Sequence, residues 1–523
     1  MKTIVELVLD PEQYLIEKRF HQAVAKQLNI NDNELNHVQV LRRSIDSRRS
    51  KTKYHVTAET YTHHDQYQKP QPQPQYKNVE QAEPVIIVGA GPAGLFAALR
   101  ALELGYKPII LERGKNVRDR KYDIARLAKE GIVNPNSNWC FGEGGAGTFS
   151  DGKLYTRSTK RGDVGDVLNK LIEHGADEQI LIDAHAHIGT DRLSLIIAHI
   201  RETIESYGGV YLFETQVTDL VLYGNKVVGV RTAAGDNYNA AAVILATGHS
   251  ARDIYELFDR KGWAIEAKPF AMGVRVEHPQ MLINSIQYHS ENYSPLLPPA
   301  TYSLVTQVEN HGVFSFCMCP GGIIVPAATD SEQQVVNGMS NSRRNSPYAN
   351  SGIAVTVNMA DVPEYSKHGA LALLRFQQDV ERAMYTAAGN SIKAPTQRLN
   401  DFCNGRASKR INKSSYMAGC TEAPLHELLP NFVVKSLQQG FRNFGQKMKG
   451  FYTESANVLG VESRTSSPVR IPRKDNYEHI QLENLYPCGE GAGYAGGIMS
   501  SAIDGINCMN AFAQKEKENN IRS

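Results

Sequence analysis

Pro84-Val-Ile-Ile-Val-Gly-Ala-Gly-Pro-Ala-Gly94, the helical run Leu95 to Leu104 and the following Pro108-Ile-Ile-Leu-Glu112 form the stretch that decides the fold. Val85 to Val88 read as a strand buried on both faces, because four apolar residues in a row leave no solvent side. Gly89, Gly91 and Gly94 then give G-x-G-x-x-G, and each glycine has its own task. The first permits the tight turn, the second lets the backbone approach a pyrophosphate, and the third lets helix and strand close together. Pro92 and Ala93 open the helix whose N-terminus faces the anion. Glu112 ends the second strand 18 residues beyond the last glycine, close to where a ribose hydroxyl needs an acceptor. A dinucleotide site is the reading. A carboxylate there repels a 2'-phosphate, which disfavours NADP and leaves FAD and NAD.

Three later segments favour FAD. The glycine-dense loop Gly142-Glu-Gly-Gly-Ala-Gly-Thr-Phe-Ser-Asp-Gly-Lys153 offers amides to a phosphate or flavin edge, through Gly145, Gly147 and Thr148. A mobile surface loop is its other reading. Val243-Ile-Leu-Ala-Thr-Gly248 is an apolar strand that ends at Thr247 and Gly248, and a plain strand-to-loop turn would look the same. The third segment is Leu485-Tyr-Pro-Cys-Gly-Glu-Gly-Ala-Gly-Tyr-Ala-Gly-Gly-Ile498, followed by a helix predicted over 499–513. A strand, a carboxylate in a glycine turn and a glycine-opened helix suit an elongated cofactor. The carboxylate accepts from ribityl hydroxyls, and the helix dipole stabilises charge on a reduced ring.

Taken with Ala246-Thr-Gly-His-Ser-Ala-Arg-Asp253 and Gly460-Val-Glu-Ser-Arg-Thr-Ser-Ser-Pro468, these motifs resemble the bacterial FAD-dependent dehydrogenases, broadly the glutathione reductase-like flavoproteins. The resemblance runs from Val85 to the C-terminus. It implies FAD and a redox activity, and names no substrate. It also implies contacts: Gly89, Gly91 and Gly94 to the pyrophosphate, Glu112 with Arg113 to the adenosine ribose, and Val217 to adenine. Glu490 matches the ribityl-binding acid, flanked by Gly489, Gly497 and Ile498. That acid is more often aspartate in related flavoproteins, so the longer Glu490 reaches its partner differently.

The chain's 523 residues call for two or three domains, because single cores stop growing at roughly 250 to 300 residues. The fold class read from the pattern is α/β: a Rossmann-like FAD-binding domain, an inserted α+β substrate domain and a small N-terminal α+β domain. Residues 1–61 form the β-α-β-β unit and 62–83 a proline- and glutamine-rich linker. The FAD domain takes 84–267 and 479–523, and the substrate domain takes 268–478. Strands are expected at 3–9, 38–45, 54–60, 272–277 and 352–359, with a hairpin around Gly224-Asn225. Helices are expected at 15–27, 191–207, 367–388 and 430–449. The basic run Arg42 to Lys53 reads as a solvated hairpin end, since no aromatic platform is interleaved with its charge.

Lysine and arginine, 57, nearly balance aspartate and glutamate, 55, which argues against a nucleic-acid surface over the whole chain. Seven cysteines in no zinc spacing suit a reducing cytoplasm, and no metal site is expected. No apolar run approaches membrane-spanning length, so no membrane is expected as a partner. The partner expected of a redox cofactor site is a small-molecule substrate. No second strand-linked glycine motif follows Glu112. NADH or NADPH is then left as a transient electron donor.

Catalytic residues are less legible. Cys317 and Cys319 fall on one face of a strand, about 6.5 to 7 Å apart along it, too far for an easy disulfide. They read as small core residues, with a redox pair as the alternative. His249 is a candidate acid or base. Arg275, His278 and Arg464 are candidates for gripping an anionic substrate, or members of an exposed salt-bridged face. The function read from all this is an FAD-dependent oxidoreductase that moves hydride through bound flavin. The alternative is a flavin-bearing scaffold or RNA- or protein-associated factor with structural FAD.

Overall fold

The structure is a computed structural model that describes residues 2–48, 51–63, 65, 67, 75–155 and 161–522. At its centre lies a five-stranded sheet in the order Leu485–Pro487, Ala242–Leu245, Pro84–Val88, Lys107–Leu111, Val210–Leu212, with every pairing parallel. Val85, Ile86 and Ile87 are fully buried, as an unbroken apolar run requires when both faces are covered. One face packs on the helices Pro92–Leu104, Thr190–Ser206 and Ile498–Arg522. The other packs on the helix Arg252–Lys261 and a three-stranded antiparallel sheet of Val217–Tyr223, Lys226–Thr232 and Asn237–Asn239. Leu485–Pro487 pairs beside Ala242–Leu245, with Leu485 opposite Val243, so the chain leaves the sheet and returns to it. Such an excursion costs little, because loop-closure entropy grows only with the logarithm of length.

The excursion builds a seven-stranded sheet, in the order Val305–Val308, His311–Cys319, Tyr348–Val357, Phe270–Pro279, Asn457–Glu462, Ala394–Arg398, Cys420–Glu422. Its core is closed by the helices Ala372–Ala387 and Asn431–Lys447. The helix expected over 367–388 begins only at Ala372: residues Pro363–Leu371 are 3-10, with Gly369 at φ +55° breaking the run. The final helix is longer than expected and continues to Arg522.

In the N-terminal unit, Thr3–Leu9 and Leu35–Asp46 flank Lys53–Thr62 in an antiparallel sheet, packed on Glu17–Leu28. The linker stretch 69–76 lies, apart from Gln75 and Tyr76, outside the described residues. The basic run 42–53 carries the end of a hairpin, with Asp46 paired to Lys53 and Arg48 standing in solvent, but Arg43 is tied down. Arg43 Nη2 donates to Asp183 Oδ2 at 3.0 Å and to Gln179 at 2.8 Å, and the Arg43 amide donates to the Ile182 carbonyl. Sequence showed the charge of Arg43 but not its partner, which lies far along the chain. No helix among the described residues is long and apolar enough to cross a membrane.

Candidate functional site

The glycine turn separates three physical roles. Gly89 has φ +100°, and a Cβ there would meet the Ala246 carbonyl oxygen at 2.6 Å. A Cβ on Gly94 would meet the Gly89 carbonyl oxygen at 2.0 Å, so this glycine lets helix and turn close. Gly91 is different. The nearest atom to a Cβ there is Gly145 Cα at 4.0 Å, so the glycine borders open space, not protein. That space lies at the N-terminus of Pro92–Leu104, where unpaired amides favour an anion.

Glu112 is buried beneath this turn and holds it together. It accepts from the amides of Ala90 at 2.9 Å, Gly114 at 2.9 Å and Gly142 at 3.0 Å. A carboxylate has about four lone-pair sites, so one remains for a ribose hydroxyl. Arg113 is committed elsewhere, to Asp253 at 3.1 Å and across the Phe141 ring at 4.3 Å, and it forms a wall of the cavity.

The second glycine loop is anchored by two buried charges that sequence reading passed over. Arg120 is fully buried and donates to the carbonyls of Asn138 at 2.8 Å, Glu143 at 2.8 Å and Trp139 at 3.0 Å. Burial pulls its pKa down to about 10, against the neighbouring Glu112 and Glu143. Glu143 accepts from the Val117 amide at 2.7 Å and from Arg201 at 2.8 Å. The expectation for Thr148 changes: it lies under the loop, its hydroxyl donating to the Glu143 carbonyl at 2.9 Å, while Gly145 and Gly147 border the cavity.

At the C-terminal return, Gly497 and Ile498 line the cavity at the N-terminus of the last helix. Glu490 also lines it, 3.4 Å from Nδ1 of His249. Gly489 sits behind the wall, its amide donating to Asp504 at 2.7 Å. Behind it Cys488, Asp504 and Cys508 place donor atoms within 4.8 Å of one another. Arg473 already occupies that carboxylate, at 2.7 and 2.9 Å, and would oppose a metal cation.

These groups meet in one cavity of about 1020 Å³. Val217, Thr247 and Gly248 line its cofactor end with Gly89, Gly91, Pro92, Ala93 and Glu112; Gly94 lies beneath the turn. The far end is lined by Lys153, Tyr302, Phe316, Cys317, Cys319 and Arg344. The volume stands at the upper end of the roughly 300 to 1,000 Å³ of ligand sites.

The cysteine pair is not on one strand face. The pairing with Tyr348–Val357 shifts between Phe316 and Cys319, and Cys317 has φ +44°. This bulge breaks the two-residue alternation, leaving Cys317 exposed and Cys319 buried. Cys319 Sγ donates to the Cys317 carbonyl at 3.3 Å, and Arg275 donates to the same oxygen at 2.6 Å. Cys317 is exposed to the cavity, and desolvation by the protein around it pushes the thiol up to about 12, so it stays protonated near neutrality. An exposed salt-bridged face also fails for three candidates. Arg275 is fully buried, paired with Glu462 at 2.7 Å; His278 is buried against the Phe451 carbonyl at 2.8 Å; Arg464 lines the cavity but is held by Glu381 at 3.2 Å. None is a free cation.

Family models match four parts of the chain: an FAD-dependent protein C-terminal domain over 269–465, glucose inhibited division protein A over 183–281, an FAD binding domain over 84–122, and a domain of unknown function over 1–61. A protein of Clostridium beijerinckii, described as uncharacterized, is 38% identical, covering 98% of each chain. The chain belongs to an FAD-dependent protein family. FAD is its cofactor, and the open space at Gly91, the two helix N-termini and the remaining acceptor of Glu112 fit a dinucleotide. Two solved structures share a distant likeness. A geranylgeranyl bacteriochlorophyll reductase-like protein from Thermoplasma acidophilum is 12% identical (84% of this chain, 79% of that one, TM-score 0.35). A triple mutant of the flavin-dependent brominase Bmp2 is 14% identical (82% and 80%, TM-score 0.36). Likeness at this level adds nothing to the assignment.

Proposed function

We propose that this flavin-dependent oxidoreductase works as a dehydrogenase, with a small organic substrate in the far end of the cavity. The observation that carries this reading is continuity: a single cavity joins the glycine turn at Gly91 to the side chains around Cys317. Cofactor and substrate would then share one continuous space, which brings the reacting atoms together for hydride transfer. FAD, when bound, supplies a two-electron centre that exchanges hydride with the substrate.

The chain's own residues do the rest. Gly91 and the N-terminus of Pro92–Leu104 present amides to the pyrophosphate, and Glu112 takes a ribose hydroxyl. Val217 borders the adenine end. Gly497 and Ile498 bring a helix N-terminus to the middle of the cavity, where it favours negative charge. A carboxylate beside Nδ1 of His249 selects the tautomer with its proton there, which leaves Nε2 to take or return a substrate proton. Glu490 is thus shared between His249 and the cofactor's polyol. NADH or NADPH is the first reductant to test.

Anaerobic stopped-flow mixing of the yellow protein with NADH, NADPH and a panel of reduced organic substrates tests the reading. At least one should bleach the flavin absorbance at a rate that saturates with concentration. A flavin that no donor reduces would leave FAD with a structural role.

A further inference from the structure

We propose that Lys153 is the anion grip of the substrate end of this cavity, and that the substrate carries a carboxylate on an unsaturated or aromatic body. This rests on the reading of the cavity as a joint flavin and substrate site. The argument is one of charge balance. Around the cavity, Arg113 is paired with Asp253 at 3.1 Å, Arg464 with Glu381 at 3.2 Å, and Glu490 lies 3.4 Å from His249. Glu112 is satisfied by three backbone amides. Arg344 holds Asp151 with two bonds, at 2.7 and 3.2 Å, and Ser340 donates to the same carboxylate.

Lys153 is the exception. Its only carboxylate neighbour among the described residues is Asp151, at 3.9 Å, and Arg344 already occupies that group. The ammonium donates instead to the Met318 carbonyl, inside the bulge that carries Cys317. Its side chain keeps 37% of its exposure, whereas that of Asp151 keeps 4%. A lysine that spans from the cofactor loop to the far sheet, reachable and without a charge of its own to answer, presents surplus positive charge to the cavity. Arg344, its charge met by Asp151, adds no surplus charge of its own; its two bonds to that carboxylate run from Nε and Nη2. Phe316, Tyr302 and Met318 line the same end, and Tyr155 and His185 pack ring to ring at 5.1 Å beside them. Apolar rings around a fixed cation describe a site for a planar body that ends in a carboxylate. Cys317, protonated and exposed to the cavity, adds no second charge.

The test is calorimetric titration of the FAD-loaded protein with benzoate and with benzyl alcohol, which keeps the ring and removes the charge. Flavin content is measured by absorbance in every sample. Benzoate should bind saturably and benzyl alcohol at least roughly tenfold more weakly. Lys153→Met should weaken benzoate by at least roughly tenfold while flavin content and thermal midpoint are unchanged, and Lys153→Arg should stay within about threefold of the parent. The proposal is overturned if benzoate does not bind, if Lys153→Met binds it as the parent does, or if benzyl alcohol matches benzoate. Loss of flavin from Lys153→Met also overturns it, because the lysine would then serve the cofactor's phosphates. A parent protein without flavin would sink the functional reading alone, and the benzoate titration on it would still decide the role of Lys153.

Discussion

The two ends of the cavity are built from different materials. The cofactor end is backbone: a glycine turn, two helix N-termini and strand ends, clamped by Glu112 and Arg120 from below. The far end is side chain, from Phe316 and Cys317 on a sheet whose key strand is bulged and from Lys153 and Arg344 on the loops that face it. Backbone sites tolerate only residues that let the chain come close, so they leave a mark in sequence. Side-chain sites depend on which distant segments meet.

The largest effect that would break this comparison is expected at Gly94. Gly94→Ala puts a methyl 2.0 Å from a backbone oxygen that cannot retreat, and should cost at least about 4 kcal/mol, read as lost soluble yield or a collapsed thermal midpoint. A normally folded Gly94→Ala would show that the turn is not tightly closed. Gly91→Val should do the opposite. Its Cβ meets no protein atom closer than 4.0 Å, so the fold should survive and FAD occupancy should fall at least roughly tenfold. Full flavin content in this variant would place the pyrophosphate elsewhere.

Next comes the buried charge cluster between the halves. Glu381 holds Arg252 at 2.8 Å and Arg464 at 3.2 Å, all three in the interior. Burial pushes the Glu381 carboxyl upward, but the two guanidinium groups outweigh it and hold the pKa at about 2. Because the folded pKa lies below the unfolded one near 4.5, this stability is present above pH 4.5 and lost as pH falls toward 2. Glu381→Gln should cost about 3 to 5 kcal/mol at neutral pH by stranding two cations, and should flatten that acid limb in denaturant titrations. An unchanged acid limb would show that other carboxylates set it.

The smallest effect is expected at the bulge. A serine at 319 can keep the bond to the Cys317 carbonyl, so the double variant Cys317→Ser, Cys319→Ser should lose only about 1 kcal/mol, with FAD and donor-driven flavin reduction retained. If flavin were still reduced but delivery to a disulfide acceptor were abolished, the pair would be a relay and the far end a redox site.

Much of the fold was legible because its rules are local. The run Val85 to Val88 announced a buried strand, and Gly224-Asn225 announced a hairpin, since each pattern has few other uses. Even the return of the chain at Leu485 could be read, from a strand and a glycine-opened helix. The misreadings share a cause. The paired cysteines, Arg275, His278 and Arg464 were read from spacing along a strand or from the habit of charges to face water. The bulge after Phe316 broke the spacing, and Glu462 and Glu381 supplied burial partners from far along the chain.

By itself, then, the sequence determined the dinucleotide turn, the parallel sheet around it and the discontinuous domain, because steric limits on glycine and the two periodicities of apolar residues act within a few residues. Tertiary structure alone decided that Glu112 clamps three amides, that Arg43 ties the N-terminal unit to Asp183, and that Arg344 takes Asp151 while Lys153 turns to the Met318 carbonyl. Each of these depends on a partner far away in the chain. Charge neutralisation acts through space, and only the folded arrangement fixes which opposite charges come within a few ångströms.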